Sequence, residues 1–117
     1  MSTTIRLTRE QLPEFFDTFT KRFLLDDAPE AVDIEVLEPE WGDQQAARGA
    51  RLNGITYDTR TNALEFALGS GDHRVYQPEE VWVRAEDDGF LSAIEVVRPE
   101  GVREVVSLKR ADPGRAD

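Results

Sequence analysis

Between Pro78 and Arg110 the chain reads as three strands and two tight turns in unbroken succession: VWVRAED, DG, FLSAIEVVR, PEG, VREVVSLKR. Val81 and Val83 alternate with Trp82 and Arg84, and Ile94 and Val96 alternate with Glu95 and Val97. Val102, Val106 and Leu108 alternate with Arg103, Val105 and Lys109, so a period of two runs through all three segments. Asp88-Gly89 suits a two-residue hairpin turn, because glycine accepts positive φ and aspartate tolerates it. That turn sets Val83 opposite Ile94 and Val81 opposite Val96. Pro99-Glu100-Gly101 suits a three-residue loop with Gly101 left-handed, which sets Ile94 opposite Val106. The two turns, read independently, bury the same face, and a one-residue slip in either would turn that face to water. The rest of the chain has to fit around this antiparallel meander.

Near the N-terminus, Thr8-Arg9-Glu10-Gln11 has the spacing of a capping box, with Thr8 as N-cap. Beyond it, Leu12, Phe15, Phe16, Phe19 and Phe23 form one apolar stripe at helical spacing, with Glu14, Asp17, Thr18, Lys21 and Arg22 toward water. Pro13 either distorts the first turn or begins the regular helix. Such a stripe has a large area to hide, and the open face of the sheet is its natural partner. The helix stops around Leu24 to Asp27, and Ala28-Pro29 turns the chain.

Val32, Ile34 and Val36 then give a half-buried strand, broken by Pro39-Glu40-Trp41-Gly42. From Asp43 to Asn53 the pattern is weak: Gln44, Ala46, Arg48 and Leu52 suit an irregular strand with Gly49 as a bulge. Ile55 and Tyr57 begin clearer strand character, and Leu64, Phe66 and Leu68 alternate with small or polar residues. Gly69-Ser70-Gly71-Asp72 reads as a flexible loop, and His73 to Tyr76 leads back to the meander. One helix and about six strands imply an α+β fold. The helix packs on a strongly bent antiparallel sheet, or on a small, partly open barrel of SH3-like or Sm-like kind. Residues 1–110 form one domain in this reading, and the ADPGRAD tail at 111–117, lacking an apolar anchor, is disordered.

Composition narrows the function classes. With 24 acids against 14 Lys and Arg the chain carries a formal charge of -10, which repels phosphate backbones and anionic membranes and favours a basic partner. No nucleic-acid or membrane partner is expected. The absence of cysteine excludes disulfides, iron-sulfur clusters and thiol catalysis. Met1-Ser2-Thr3-Thr4 opens no basic-then-apolar leader, and no stretch approaches the apolar length of a membrane span, so a cytoplasmic location is the expectation.

Four segments together, LTREQLPEFFDTF, VDIEVLEPEWG, LNGITYD and HRVYQPEEVWV, resemble a family of small bacterial proteins known as a domain of unknown function. The similarity runs from about Leu7 to Lys109. It implies one domain with a helix ahead of a β-rich body, and it brings no activity, cofactor or catalytic residue.

Chemical motifs are thin. His73, the single histidine, follows Gly-Ser-Gly-Asp, so Ser70, Asp72 and His73 could supply a nucleophile and base. A hydroxyl and a base so close on one loop rarely reach the required geometry, and an ordinary loop or strand-edge histidine is the plainer account. Asp26, Asp27 and Glu30, or Glu86, Asp87 and Asp88, offer carboxylates without EF-hand spacing, and zinc lacks its ligands. Gly69-Ser70-Gly71 lacks the lysine and following helix of a phosphate loop. No metal or cofactor is expected, and no catalytic residue is assigned. What remains is the outer face of the meander, where Trp82, Arg84, Arg103, Val105 and Lys109 share one side: an indole among arginines and valines has the composition of a binding hot spot. The alternative is that another element covers it and Trp82 belongs to a second core.

The first reading is thus a non-catalytic protein-interaction or self-association module, acting through an exposed strand edge or the Trp82 face. An acidic inhibitor or immunity-type protein that binds a basic partner is the second reading. A small enzyme at the Ser70–His73 loop is the third.

Overall fold

The computed structural model describes residues 2–24 and 31–110. The expected helix stop and turn at 25–29, the carboxylates Asp26, Asp27 and Glu30, and the expected tail at 111–117 lie outside them.

The meander is as the sequence requires. Strands β6 (Glu80–Ala85), β7 (Leu91–Val97) and β8 (Arg103–Lys109) pair antiparallel, with Val83 opposite Ile94, Val81 opposite Val96 and Ile94 opposite Val106. The first turn differs from expectation. Glu86 N–H donates to Phe90 C=O at 2.7 Å and Gly89 N–H to Glu86 C=O at 2.9 Å, so Asp87, Asp88 and Gly89 make a three-residue loop. Only Gly89 has positive φ there, whereas the expected two-residue turn needs it at Asp88 too. A bulge between the Arg84 and Ala85 pairings absorbs the extra residue and restores the register. Asp88 accepts from Arg110 at 3.0 Å and from Phe90 N–H at 3.1 Å. The Arg110 guanidinium, and then the Phe90 amide, hold the Asp88 carboxyl down at about 2.

The second turn is the three-residue loop anticipated, closed by Arg98 N–H to Val102 C=O at 2.7 Å, with Gly101 at φ +77. A Cβ on Gly101 would meet only Pro39 Cγ at 3.5 Å, an ordinary contact, so substitution is opposed by the backbone and not by space. Gly101→Val is expected to cost about 1–3 kcal/mol in urea unfolding. Glu100 is left-handed as well, at φ +68, so a cost near zero would mean the loop holds its register without glycine at 101.

Upstream, Thr8 N–H donates to Gln11 Oε1 at 2.7 Å, as a capping box requires, but the turn it starts (Arg9–Gln11) is a 3-10 turn. Regular helix α1 runs Leu12–Phe19 with Pro13 in its first turn, and a π-helical turn continues it through Thr20–Leu24. Leu12, Phe16 and Phe19 are buried, while Phe15 and Phe23 are partly buried against the same core. Phe19, Phe23 and Phe90 stack at centroid separations of 5.2–5.9 Å, which ties the end of the helix to the β6–β7 turn.

The described residues hold eight strands, two more than expected. Strand β1 (Thr3–Leu7) pairs with β6 and was not anticipated; β2 (Ala31–Glu38) pairs with β8. The weak, irregular strand expected at 43–53 and the clearer strand beginning at Ile55 and Tyr57 are one strand, β3 (Gly42–Asp58). Its first part pairs with β2 and its second with β4 (Ala63–Leu68), with a register shift between Leu52 and Gly54 where it passes from one half of the sheet to the other. Gly49, expected as a bulge, has φ +62 where the β2–β3 register shifts, and its N–H donates to Asp33 Oδ1 at 2.6 Å. The expected loop at 69–72 is instead a tight turn at Gly69-Ser70, and β5 (Gly71–Tyr76) pairs with β4.

The sheet order is β1-β6-β7-β8-β2-β3-β4-β5, all antiparallel, and no pairing joins β1 to β5. The fold is therefore α+β with a strongly bent antiparallel sheet that is not closed. The helix lies inside the bend. Past Leu52, β3 has left β2, so its second edge needs a partner. Thr20 supplies one: its hydroxyl accepts from Ile55 N–H and donates to Ile55 C=O, both at 3.0 Å, standing where a strand would. Phe16, Ile34, Ile55, Phe66, Leu91 and Ile94 lie fully inside. No helix of the described residues is long and apolar enough to cross a membrane.

Candidate interaction surface

With α1 filling the inner face, the outer face of strands β1, β6, β7, β8 and β2 meets water. The strand pairings align one residue from each strand into transverse rows. One row runs Arg6, Trp82, Glu95, Val105, Glu35, Gln45; the next runs Glu80, Val97, Arg103, Leu37, Asp43. Trp82, Val97, Val105 and Leu37 are half-buried, and Arg84, Arg103 and Lys109 are exposed. Trp82 is held in place from both sides. Its Nε1–H donates to Glu80 Oε1 at 3.0 Å, and the Arg6 guanidinium lies 5.7 Å from the ring centroid. Arg103 Nη1 donates to Glu95 Oε2 at 2.7 Å, beside the indole.

The pairings therefore bring together Trp82, Arg103 and Val105, with Glu95 between them. Arg84 stands two residues from Trp82 on the same face and donates to Ser2 Oγ at 3.1 Å. Lys109 shares the face but sits at the far end of β8, opposite Ala31.

The residues considered for catalysis are dispersed. Ser70 is in the β4–β5 turn, while Asp72 and His73 are successive residues of β5 and so point to opposite faces. His73 turns inward, and its Nε2 lies 2.6 Å from Glu104 Oε1. Arg98 Nη1 donates to the other oxygen of Glu104 at 2.9 Å. Glu104, 1% exposed, is the one buried charged residue among those described. It escaped notice in the sequence, yet it falls on the inward parity between Val102 and Val106. Glu86 accepts from Ser92 Oγ at 2.8 Å, and Asp88 is committed to Arg110. Among the described residues no cluster of three metal-ligating side chains forms.

Two further surface features had been passed over. Trp41, read only as part of a strand break, is 73% exposed at the tip of the β2–β3 hairpin. Beside α1, a groove of about 420 Å³ is lined by Ile5, Phe15, Phe19, Phe23 and Ala85. Neither could be found by periodicity, because both depend on how distant segments meet.

The chain is similar to a family of unknown function (DUF5335), whose family model matches residues 3–116. An uncharacterised protein of Aquifex aeolicus (strain VF5) is 35% identical over 108 residues, which is 92% of this chain and 93% of that protein. No solved structure matches.

Proposed function

Since the chain belongs to this family of unknown function, and membership brings no chemistry with it, we propose a role from the geometry alone: a non-catalytic protein-interaction module that works through the Trp82 face. The observation that carries the reading is the partly exposed indole, oriented by Glu80 and Arg6 on a sheet face over which no helix of the described residues lies. A hot spot needs a rigid aromatic with directed polar groups around it, and Trp82 between arginines has that composition. Arg6, Arg84 and Arg103 stand around the indole with Glu80 and Glu95 between them, so the fitting partner presents an apolar patch ringed by groups of both charges. A copy of the same chain is the form that is measurable directly.

Trp82→Ala is expected to weaken association by about 2 kcal/mol or more while the melt of the isolated monomer moves little. Light scattering paired with thermal melts reads both. A collapsed melt with association untouched would assign Trp82 to the fold and end the functional reading.

A further inference from the structure

One pair of features stands out because each has what the other lacks. Trp41 is the most exposed large apolar residue of those described, at 73%, while Ile5, 40% exposed, lies in the groove beside α1. An indole carries about 150–250 Å² of mostly apolar surface, and leaving it in water is unfavourable. The groove is walled by Phe15, Phe19 and Phe23 of the helix segment and by Ala85 of β6.

The two features lie at opposite ends of the molecule. The β2–β3 tip sits by the β7–β8 loop, where Pro39 Cγ is 3.5 Å from a Cβ position on Gly101. The groove reaches Gly89 in the β6–β7 turn, at the other end of β7. With the tip at one end of β7 and the groove at the other, Trp41 does not reach its own groove without rebuilding the sheet.

Charge favours the same match. Glu38, Glu40 and Asp43 flank Trp41 and make no ion pair among the described residues. Arg22, at the Gly89 end of the groove, lies over Phe23 at 5.0 Å and has no carboxylate partner among the described residues. Glu14 stands on the groove too, toward the start of the helix, so the acidic tip is directed to the Arg22 end.

We infer that this chain associates head to tail with a second copy of itself, the Trp41 hairpin tip of one copy seating in the α1–β6 groove of the next. Such a contact is heterologous: it uses two different patches, and it propagates into a ring or a filament. It uses residues separate from the Trp82 face, and either contact stands or falls without the other.

The experiment uses the whole chain with Trp82→Ala in every form, so that only this contact is read: tip and groove intact (the wild type for this contact), Trp41→Ser at the tip, and Ile5→Lys in the groove. In sedimentation velocity the wild type is expected to gain mass with concentration. Each variant alone is expected to stay monomeric, with association at least about tenfold weaker. Mixing the two variants is the decisive arm. The intact tip of Ile5→Lys fits the intact groove of Trp41→Ser, and neither has a second working patch, so the mixture stops at a dimer. A wild type that stays monomeric at every concentration, a Trp41→Ser chain that assembles like wild type, or a mixture that remains monomeric would each overturn the inference. Thermal melts of the variants confirm that both are folded when the masses are read. If Ile5→Lys fails to fold, Arg22→Glu, on an exposed side chain, replaces it.

Discussion

Phe16→Ala is expected to remove about 3–5 kcal/mol of stability, the range for emptying an aromatic site in a core. Phe16 has no exposed surface, and Phe15 meets it edge-on at a centroid distance of 5.4 Å. The helix has few other ways to hold its place. Its end is tied to the β6–β7 turn through Phe19, Phe23 and Phe90 and to β3 through Thr20, but its middle rests on Phe16. The bent sheet limits collapse around the vacancy, because its strands are fixed by their pairing on either side, so much of the cavity stays open. Urea unfolding measures the loss. A cost below about 1 kcal/mol would mean that the helix rests on other residues and that the inner face of the sheet is held without it.

The same residues explain how far the sequence could be read. Period two in Val81, Val83, Ile94, Val96 and Val106 marked a face buried on one side only, and the positive φ of Gly101 fixed the second turn, so the meander and its register were legible. The first turn was misread and its register was still right, since the bulge between the Arg84 and Ala85 pairings compensates for a longer loop. Strand β1 was missed because Thr3 to Arg6 are exposed and only Leu7 is buried, so its pairing with β6 is imposed from outside the segment. The first half of β3 gave no pattern for a related reason. From Gly42 to Arg51 no residue is buried; only Ala47 and Ala50 are partly buried against the core, and two alanines make no apolar stripe to betray the strand. The Trp82 face followed from the register of the meander. Trp41 and the groove did not, as each needs the relative placement of elements far apart in the chain.

Glu104 was legible by parity, and it carries the other large expected effect. Its position in β8 takes a side chain that points inward, between Val96 of β7 and Val36 of β2 in the pairing, where an apolar residue would be routine. A carboxylate there is tolerable only if both oxygens are satisfied. His73 supplies one hydrogen bond from the far edge of the sheet and Arg98 the other from the β7–β8 loop, so Glu104 fastens three separated segments at one point. Removing it leaves two donors without their acceptor, and a buried Arg98 Nε already has no partner among the described residues. Glu104→Ala is therefore expected to cost about 3–5 kcal/mol, the penalty for breaking a buried pair and not the worth of the pair itself. The distinction is testable. Replacing all three polar groups with apolar ones of similar volume, as Glu104→Leu, His73→Leu and Arg98→Met, should recover most of the loss, because no charge is then left stranded. If Glu104→Ala alone unfolds within about 1 kcal/mol of the wild type, water reaches the site and the cluster fastens nothing. If the triple replacement is as unstable as the single one, the cluster itself holds β5 against β8, and apolar packing does not substitute for it.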